Sequence, residues 1–373
     1  MKNIAILGAV FGDEGKGAFT HHFSKDFDWV IRFSGGANAG HTIYRDGKKY
    51  VHNLLPSFDW RHKHVKAFLG SGMVIDLEQL TKEVQQLYEI SPEIASRVYV
   101  DPDAFLVLPE HKEEDKTNNG HIGSTNRGIG PAYKSKIARA GLKIRDAINK
   151  ADSNVLALKH YGVNFTYSLE LERQFKNDKL LFEGAQGIML DINHGTYPYV
   201  SCGEATVAGI AASGFATTKL DKVYGVAKCY TTKVGEGPFP TELFGSESDE
   251  LRKLGNEYGA TTGRPRKVGW IDLPALQYAC KKGGINSLIL TKFDILNGRK
   301  DVPMCVSYNK VPVCSKDFFD VQPHNLQYIN VPGWKNADNL DELKPFISLV
   351  EGYTGISVEY ISKGIKPTDI VAW

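Results

Sequence analysis

The strongest constraint on what this chain can fold into lies at its start. Asn3 to Ala9 is a short, apolar, β-favouring run, and it leads almost at once into Gly12-Asp13-Glu14-Gly15-Lys16-Gly17. An unbroken apolar run that ends in glycines reads as a strand buried on both faces, the habit of a parallel sheet. The turn that follows offers backbone N–H groups and a lysine, which together can cradle phosphates. It is not a Walker A loop. Val10 stands where that motif has its first glycine, and Gly17 follows the lysine where a metal-binding hydroxyl would be. Asp13 is the natural substitute ligand.

The same grammar continues along the chain. Trp29 to Phe33 also ends in glycines, Ala67 to Ile75 reads as a strand, and Asp76 to Ile90 as an amphipathic helix with Asp76 as its cap. Leu180 to Phe182, the small-residue stretch Ala205 to Thr218, Val223 to Thr231, helix-like Asp249 to Tyr258 and strand-like Ser287 to Leu290 repeat the alternation. The expected fold is α/β: a mostly parallel central sheet flanked by helices, with P-loop-NTPase-like topology. One domain with inserted loops is expected, including a polar, glycine-rich active-site loop over about 110–138.

Bulk properties narrow the function. With 373 residues, 42% hydrophobic and 24% charged, the chain can bury a large core. A net charge of +2 excludes nucleic-acid or membrane binding by bulk electrostatics, so any anion affinity is local. Cys202, Cys229, Cys280, Cys305 and Cys314 are scattered and form no C-x-x-C pair, which fits a reducing, cytoplasmic setting. No apolar run approaches the ~20 residues that span a bilayer.

Four further segments carry chemistry. Gly35-Gly36-Ala37-Asn38-Ala39-Gly40-His41-Thr42 follows the second strand, so two glycine loops are expected to meet on one sheet edge, with the His41 ring exposed to a phosphate. Gly123 to Tyr133 joins the Ser124 and Thr125 hydroxyls to Arg127, suiting a phosphate monoester, and Gln186 can read a purine edge. Gly259 to Lys267 places Thr261, Thr262, Gly263, Arg264 and Arg266 in one short loop fit for a dicarboxylate beside a polyphosphate. In Thr291-Lys292-Phe293-Asp294, one carboxylate can accept from both N1–H and N2–H of guanine while the lysine stem packs on the ring. His21-His22 and His62-x-His64 lack accompanying ligands and read as solvated surface.

In this order, these segments resemble the adenylosuccinate synthetase family from residue 3 to about residue 294. The resemblance implies a magnesium-dependent, GTP-binding ligase of purine biosynthesis that joins L-aspartate to C6 of IMP. Catalytic roles fall to Asp13, Lys16, His41 and Gln186, with Asp13 and Gly40 on Mg²⁺. The monophosphate would be held by Asn38, Ser124, Thr125, Gln186, Ser201, Val234, Arg264 and, from the neighbouring subunit of a homodimer, Arg139. Aspartate would meet Thr261, Thr262, Gly263, Arg264 and Arg266. The triphosphate would meet Gly12, Gly15, Lys16, Gly17, Gly40, His41, Thr42, Arg266, Lys292 and Asp294, together with Ser362 and Gly364 from a C-terminal base region over about 300–373.

The chain departs from the family at Phe11, Ala37 and Asn126, and its C-terminal element reads Ser362-Lys363-Gly364-Ile365-Lys366. These changes touch the nucleotide pockets and leave a second acceptor open. That acceptor is dGMP, with ATP, dATP or GTP as donor, as in phage-type relatives that make 2-aminoadenine. A GTP-binding switch or ATPase without a second substrate is the remote alternative.

Overall fold

A computed structural model describes residues 2–45, 48–118, 123–175, 177–259, 263–308, 321 and 325–373. The chain forms two compact units, each assembled from separate stretches: Met1–Ile6, Lys16–Gln186 and Ser201–Lys222 in the first, Leu7–Gly15, Gly187–Val200 and Val223–Trp373 in the second. Each unit contains a run of parallel strand pairs.

The first unit contains β1 (Asn3–Gly8), which runs into the second at its end, β2 (Trp29–Arg32), β3 (Lys66–Leu69), β4 (Val98–Val100), β5 (Asn164–Phe165) and β6 (Leu180–Glu183). They lie in the order β1-β6-β2-β3-β4-β5, and every neighbouring pair is parallel. Full burial of β2 and β6 on both faces explains their unbroken apolar character. The second unit contains β7 (Lys222–Lys228), β8 (Ser287–Thr291) and β9 (Val358–Ser362), mutually parallel, and the antiparallel edge strand β10 (Ile370–Ala372).

Helix α1 (Lys16–Ser24) starts at the motif lysine. Helix α2 (Leu77–Ile90) begins where expected, with the Asp76 carboxylate accepting from the Gln79 amide at 3.3 Å. Two expectations need correction. The run Ala67 to Ile75 is not one strand: β3 stops at Leu69, and a turn through Gly70-Ser71-Gly72 precedes a short strand at Val74–Ile75. A Cβ on Gly72 would stand 2.2 Å from the Phe33 carbonyl oxygen, so only glycine lets the chain pass there. The polar stretch over 110–138 is not loop throughout, because its ends fold into helices α3 (Pro109–Asn118) and α4 (Ile129–Ile137), with 123–128 non-helical. Its inward face is polar: buried Asp115 accepts from the Ser124 hydroxyl and the Gly128 amide, both at 2.8 Å.

The second unit adds a four-stranded sheet of Tyr230–Lys233, Lys267–Asp272, Asp301–Ser307 and Gln327–Pro332. Helix α5 (Gly245–Gly255) ends at Asn256 in the left-handed conformation, and α6 (Leu273–Gly283) is capped by Asp272. Asp272 is also held by the Tyr308 hydroxyl, 2.6 Å from each carboxylate oxygen. Burial raises the Asp272 carboxyl to about 6, against the opposing pull of Tyr308 and the Ala275 amide. Folding therefore favours the protonated acid. Its stabilising effect is complete below the unfolded value of ~3.9 and is lost as pH rises through about 6, a loss on the order of 2–3 kcal/mol. Asp272→Asn should thus flatten the decline in Tm between about pH 4 and pH 6. An unchanged slope in thermal melts would refute this origin.

Among the described residues, Cys202, Cys229, Cys280 and Cys305 are free thiols, and no helix is long and apolar enough to cross a membrane.

Candidate active site

In the first unit, two of the motifs meet. A Cβ on Gly17 would lie 2.9 Å from both the His41 Cβ and the Ser57 hydroxyl, so the start of α1 packs directly on the second glycine loop. Lys16 and His41 are both buried, and Thr42 is partly buried beside them. His41 opens a two-stranded ribbon, His41–Arg45 against Lys48–His52, in which His41 pairs with His52. Burial pushes His52 down to about 4, so this neighbour stays neutral near pH 7.

His41 is anchored from behind. Its Nδ1 stands 2.8 Å from Glu183 Oε1 at the end of β6, and the Ser57 amide donates to Glu183 Oε2 at 2.8 Å. Arg32, fully buried on β2, donates to the carbonyls of Asn53 and, at 3.0 Å, Gly36. Burial alone would raise the Glu183 carboxyl, yet His41, Arg32 and the Ser57 amide hold it down at about 2. Sequence reasoning missed Arg32 and Glu183 as site residues. Their signal was a charge at the end of an otherwise apolar strand, where burial demands a partner.

Around this anchor the loops converge. A Cβ on Gly35 would stand 2.7 Å from the Ala185 Cβ and 3.2 Å from Gln186 Oε1, and one on Gly203 would be 3.3 Å from the Gly35 amide. The structure thus brings together the segments of Asn38, Gly40, Gln186 and Ser201. Asn53 Nδ2 donates to the Ala39 carbonyl at 2.6 Å, while Asn38 Oδ1 is buried and receives no hydrogen bond from the described residues. A buried acceptor left without a donor points to a ligand. Ser124 directs its hydroxyl to Asp115, and Thr125 is partly buried. Arg139 stands apart: it is exposed, has a φ of 62°, and follows Ile137, which is 77% exposed. Of the paired histidines, His21 is no surface residue. It is 6% exposed, packs edge-on against Trp60 and lies 3.8 Å from Asp59.

The second unit carries the other set. Gly12, Asp13 and Gly15 all have positive φ, and Glu14 turns inward to accept from the amides of Val10 (3.1 Å) and Gly12 (2.7 Å). The Thr291 hydroxyl donates to the Glu14 carbonyl at 2.9 Å, which ties the loop to the end of β8. The chain after β6 passes so close that a Cβ on Gly187 would sit 2.3 Å from the Val10 carbonyl oxygen. Asp13 is about one-third exposed, and Arg266 Nε lies 2.8 Å from its Oδ2.

Arg264 and Gly263 are exposed, whereas Thr261 and Thr262 lie outside the described residues. Lys292, at a φ of 70°, donates to the Gly255 carbonyl at 2.9 Å, and Asp294 Oδ1 is buried without a donor from the described residues. Ser362 donates to the Gly364 carbonyl at 2.8 Å, and a Cβ on Gly364 would stand 2.3 Å from Asp369 Oδ2. Val234 follows Lys233, a second residue the sequence reading passed over. The Lys233 ammonium donates to the Glu236 carbonyl at 2.6 Å and lies 5.1 Å from the Phe11 ring centre, and burial pushes it down to about 7. Among the described residues, no cluster of three or more His, Cys, Asp or Glu gathers to hold a metal. A cation here would need one carboxylate, backbone carbonyls, phosphate oxygens and water, a donor set that suits Mg²⁺ and that Asp13 can supply in part.

The family model for adenylosuccinate synthetase matches residues 5–159 and 153–371. The adenylosuccinate synthetase of Petrotoga mobilis is 43% identical over 412 residues, covering 99% of this chain and 97% of the relative. That of Thermus thermophilus is 40% identical with complete coverage of both. Among solved structures, fully ligated adenylosuccinate synthetase from Plasmodium falciparum superposes with a TM-score of 0.86 at 32% identity, covering 99% of each chain. The succinoaminodeoxyadenylate synthetase of cyanophage S-2L, bound to dGMP and dATP, gives 0.73 at 22% identity and covers 100% of this chain and 95% of that one.

Proposed function

The chain belongs to the adenylosuccinate synthetase family, and from that premise we propose how its residues divide the work of a ligase that joins L-aspartate to C6 of IMP at the expense of GTP. One observation carries the assignment: Arg266, from the loop suited to a dicarboxylate, pairs with Asp13, the carboxylate of the phosphate loop. A simple GTPase has no use for that pairing.

Hydroxide is too poor a leaving group for an amine to displace O6 from a purine. Asp13 takes the N1 proton, O6 attacks the γ-phosphorus, and the bond from phosphorus to the β-bridging oxygen breaks to release GDP. Lys16, Thr42 and the amides of Gly12, Gly15, Gly17 and Gly40 are assigned to the transferring charge. His41, held through Nδ1 by Glu183, presents Nε2 to the phosphoryl oxygens. Asp13 and the Gly40 carbonyl would hold Mg²⁺, which would supply neutralisation of phosphate charge. The amine of aspartate, oriented by Thr261 to Arg266, then forms the C6–N bond as the C6–O6 bond breaks and phosphate departs.

Asn38, Ser124, Thr125, Gln186, Ser201, Val234 and Arg264 hold the acceptor nucleotide, and the buried, donorless Asn38 Oδ1 supports that reading. Asp294 and Lys292 read the donor base, with Ser362 and Gly364 beside it. Asp294 Oδ1 is suited to guanine, whose N1–H and N2–H lie side by side, a donor pair that adenine lacks. The dGMP alternative leans on a likeness at 22% identity, which speaks for the fold alone.

The direct test measures phosphate release with Mg²⁺ and L-aspartate while crossing IMP, GMP and dGMP with GTP, ATP and dATP. Turnover with IMP and GTP is expected. Turnover confined to dGMP would move the enzyme to the other acceptor, and aspartate-independent release would overturn the ligase reading. Arg139, exposed beside Ile137, is proposed to reach the monophosphate of a second copy in a cytoplasmic homodimer. Arg139→Leu and Asp13→Asn proteins, each inactive alone, should recover about a quarter of wild-type activity when mixed, because half of the dimers are then hybrids with one intact site. No recovery would remove the shared site.

A further inference from the structure

One deeply buried acidic residue of the second unit is absent from every role above. Glu257 is 0% exposed, yet three strong donors make four hydrogen bonds to it. Lys228 Nζ lies 2.9 Å from both carboxylate oxygens, the Tyr230 hydroxyl donates at 2.6 Å, and Arg266 Nη1 donates at 2.6 Å. Burial alone would raise the Glu257 carboxyl. The charges of Lys228, Lys292 and Arg266, with the Tyr230 hydrogen bond, hold it at about 2 instead.

A buried ion cluster is costly, and apolar residues of equal volume often stabilise a core as well or better. What this cluster adds is position. Arg266 is gripped at two edges of its guanidinium, Nη1 by Glu257 and Nε by Asp13 at 2.8 Å. A planar fork bound at both edges cannot swing, a constraint that a lysine could not satisfy. The backbone is fixed at the same place, since the Arg266 amide donates to the Glu257 carbonyl and Arg252 Nε to the Arg266 carbonyl, both at 2.9 Å. Just beyond, the Gly259 amide donates to the Arg264 carbonyl at 2.8 Å. Glu257 and Arg266 therefore close the neck of the loop that carries Gly263 and Arg264.

We propose that Glu257, anchored by Lys228, is the positioning residue that sets Arg266 against Asp13 and fixes the neck of the aspartate-binding loop. This proposal rests on the ligase reading above. It assigns Glu257 to the capture and alignment of L-aspartate, leaving both nucleotides to other residues.

The test is Glu257→Gln in the full-length enzyme. The expected result is a KM for L-aspartate raised ~10-fold or more and a kcat lowered ~10–100-fold, with KM for IMP and GTP within about twofold of wild type. Glutamine leaves Lys228 buried without its counter-charge, so Lys228→Met/Glu257→Gln is measured in parallel, removing both charges together. If the double variant folds, with Tm near wild type, and keeps the aspartate defect, positioning is supported. Normal aspartate kinetics in either folded variant would overturn the proposal, because Glu257 would then only neutralise Lys228. Failure of both variants to fold would overturn it as well, by making the cluster purely structural. The wild-type control separates this from the parent reading: if it shows no aspartate-dependent phosphate release, the ligase assignment has failed and not the role of Glu257.

Discussion

Asp13→Asn should lower turnover by about three orders of magnitude or more while leaving nucleotide binding within a few-fold of wild type. Asparagine keeps the size of the side chain and tolerates the left-handed backbone at φ 60°, so the loop survives the change. It cannot accept the purine N1 proton, and its neutral oxygen is a weaker ligand for Mg²⁺. It also removes the charge that faces Arg266 Nε at 2.8 Å. Three functions of one carboxylate are lost together. Steady-state phosphate release beside equilibrium dialysis of IMP and GTP decides the matter, and turnover within tenfold of wild type would remove Asp13 as the base.

Glu183→Ala carries the largest expected cost in stability. It strips the stronger counter-charge from Arg32, which is fully buried and would keep the weaker pull of Glu83 and the carbonyls of Asn53 and Gly36. Breaking a buried pair by deleting one member typically costs about 3–5 kcal/mol. For a chain of this size, that corresponds to a fall in Tm of roughly 4–6 °C. His41 loses its support at Nδ1 in the same step, so the folded fraction should also turn over ~10–100-fold more slowly. A Tm within about 2 °C of wild type would show that the Arg32–Glu183–His41 group adds little to the fold.

Strand ends and glycine turns could be read from the sequence because local physics sets them. The apolar runs of β1, β2, β6 and β8 end within a residue or two of where they were expected. The strand expected across Ala67 to Ile75 failed at Gly70 and Gly72, since nothing local reveals the Phe33 carbonyl that closes in on Gly72. Helix α3 was read as loop because it presents His111 and Asp115 inward, where an apolar stripe was sought. The segments that carry Lys16, His41, Gln186, Asp13 and Arg266 stand out through residue type and spacing, and the roles proposed for them start from that pattern. Glu183, Lys228 and Glu257 do not stand out, because a buried charge is explained by its partner, and these partners lie far away in the chain. Glu257 in particular, just past the left-handed end of α5, reads in isolation as an ordinary polar surface residue.

Asp13, Gln186 and Lys292 share one further property: each is a non-glycine residue in the left-handed region, at φ values of 60°, 55° and 70°. Each also follows a strand, β1, β6 and β8 respectively. That conformation costs a residue with a side chain roughly 1 kcal/mol, which glycine would not incur. Selection for heat resistance alone would therefore drift toward glycine at these three positions and end with a hardier but inert protein. Under the proposed roles, each costly side chain marks a position where activity outranks robustness in this chain.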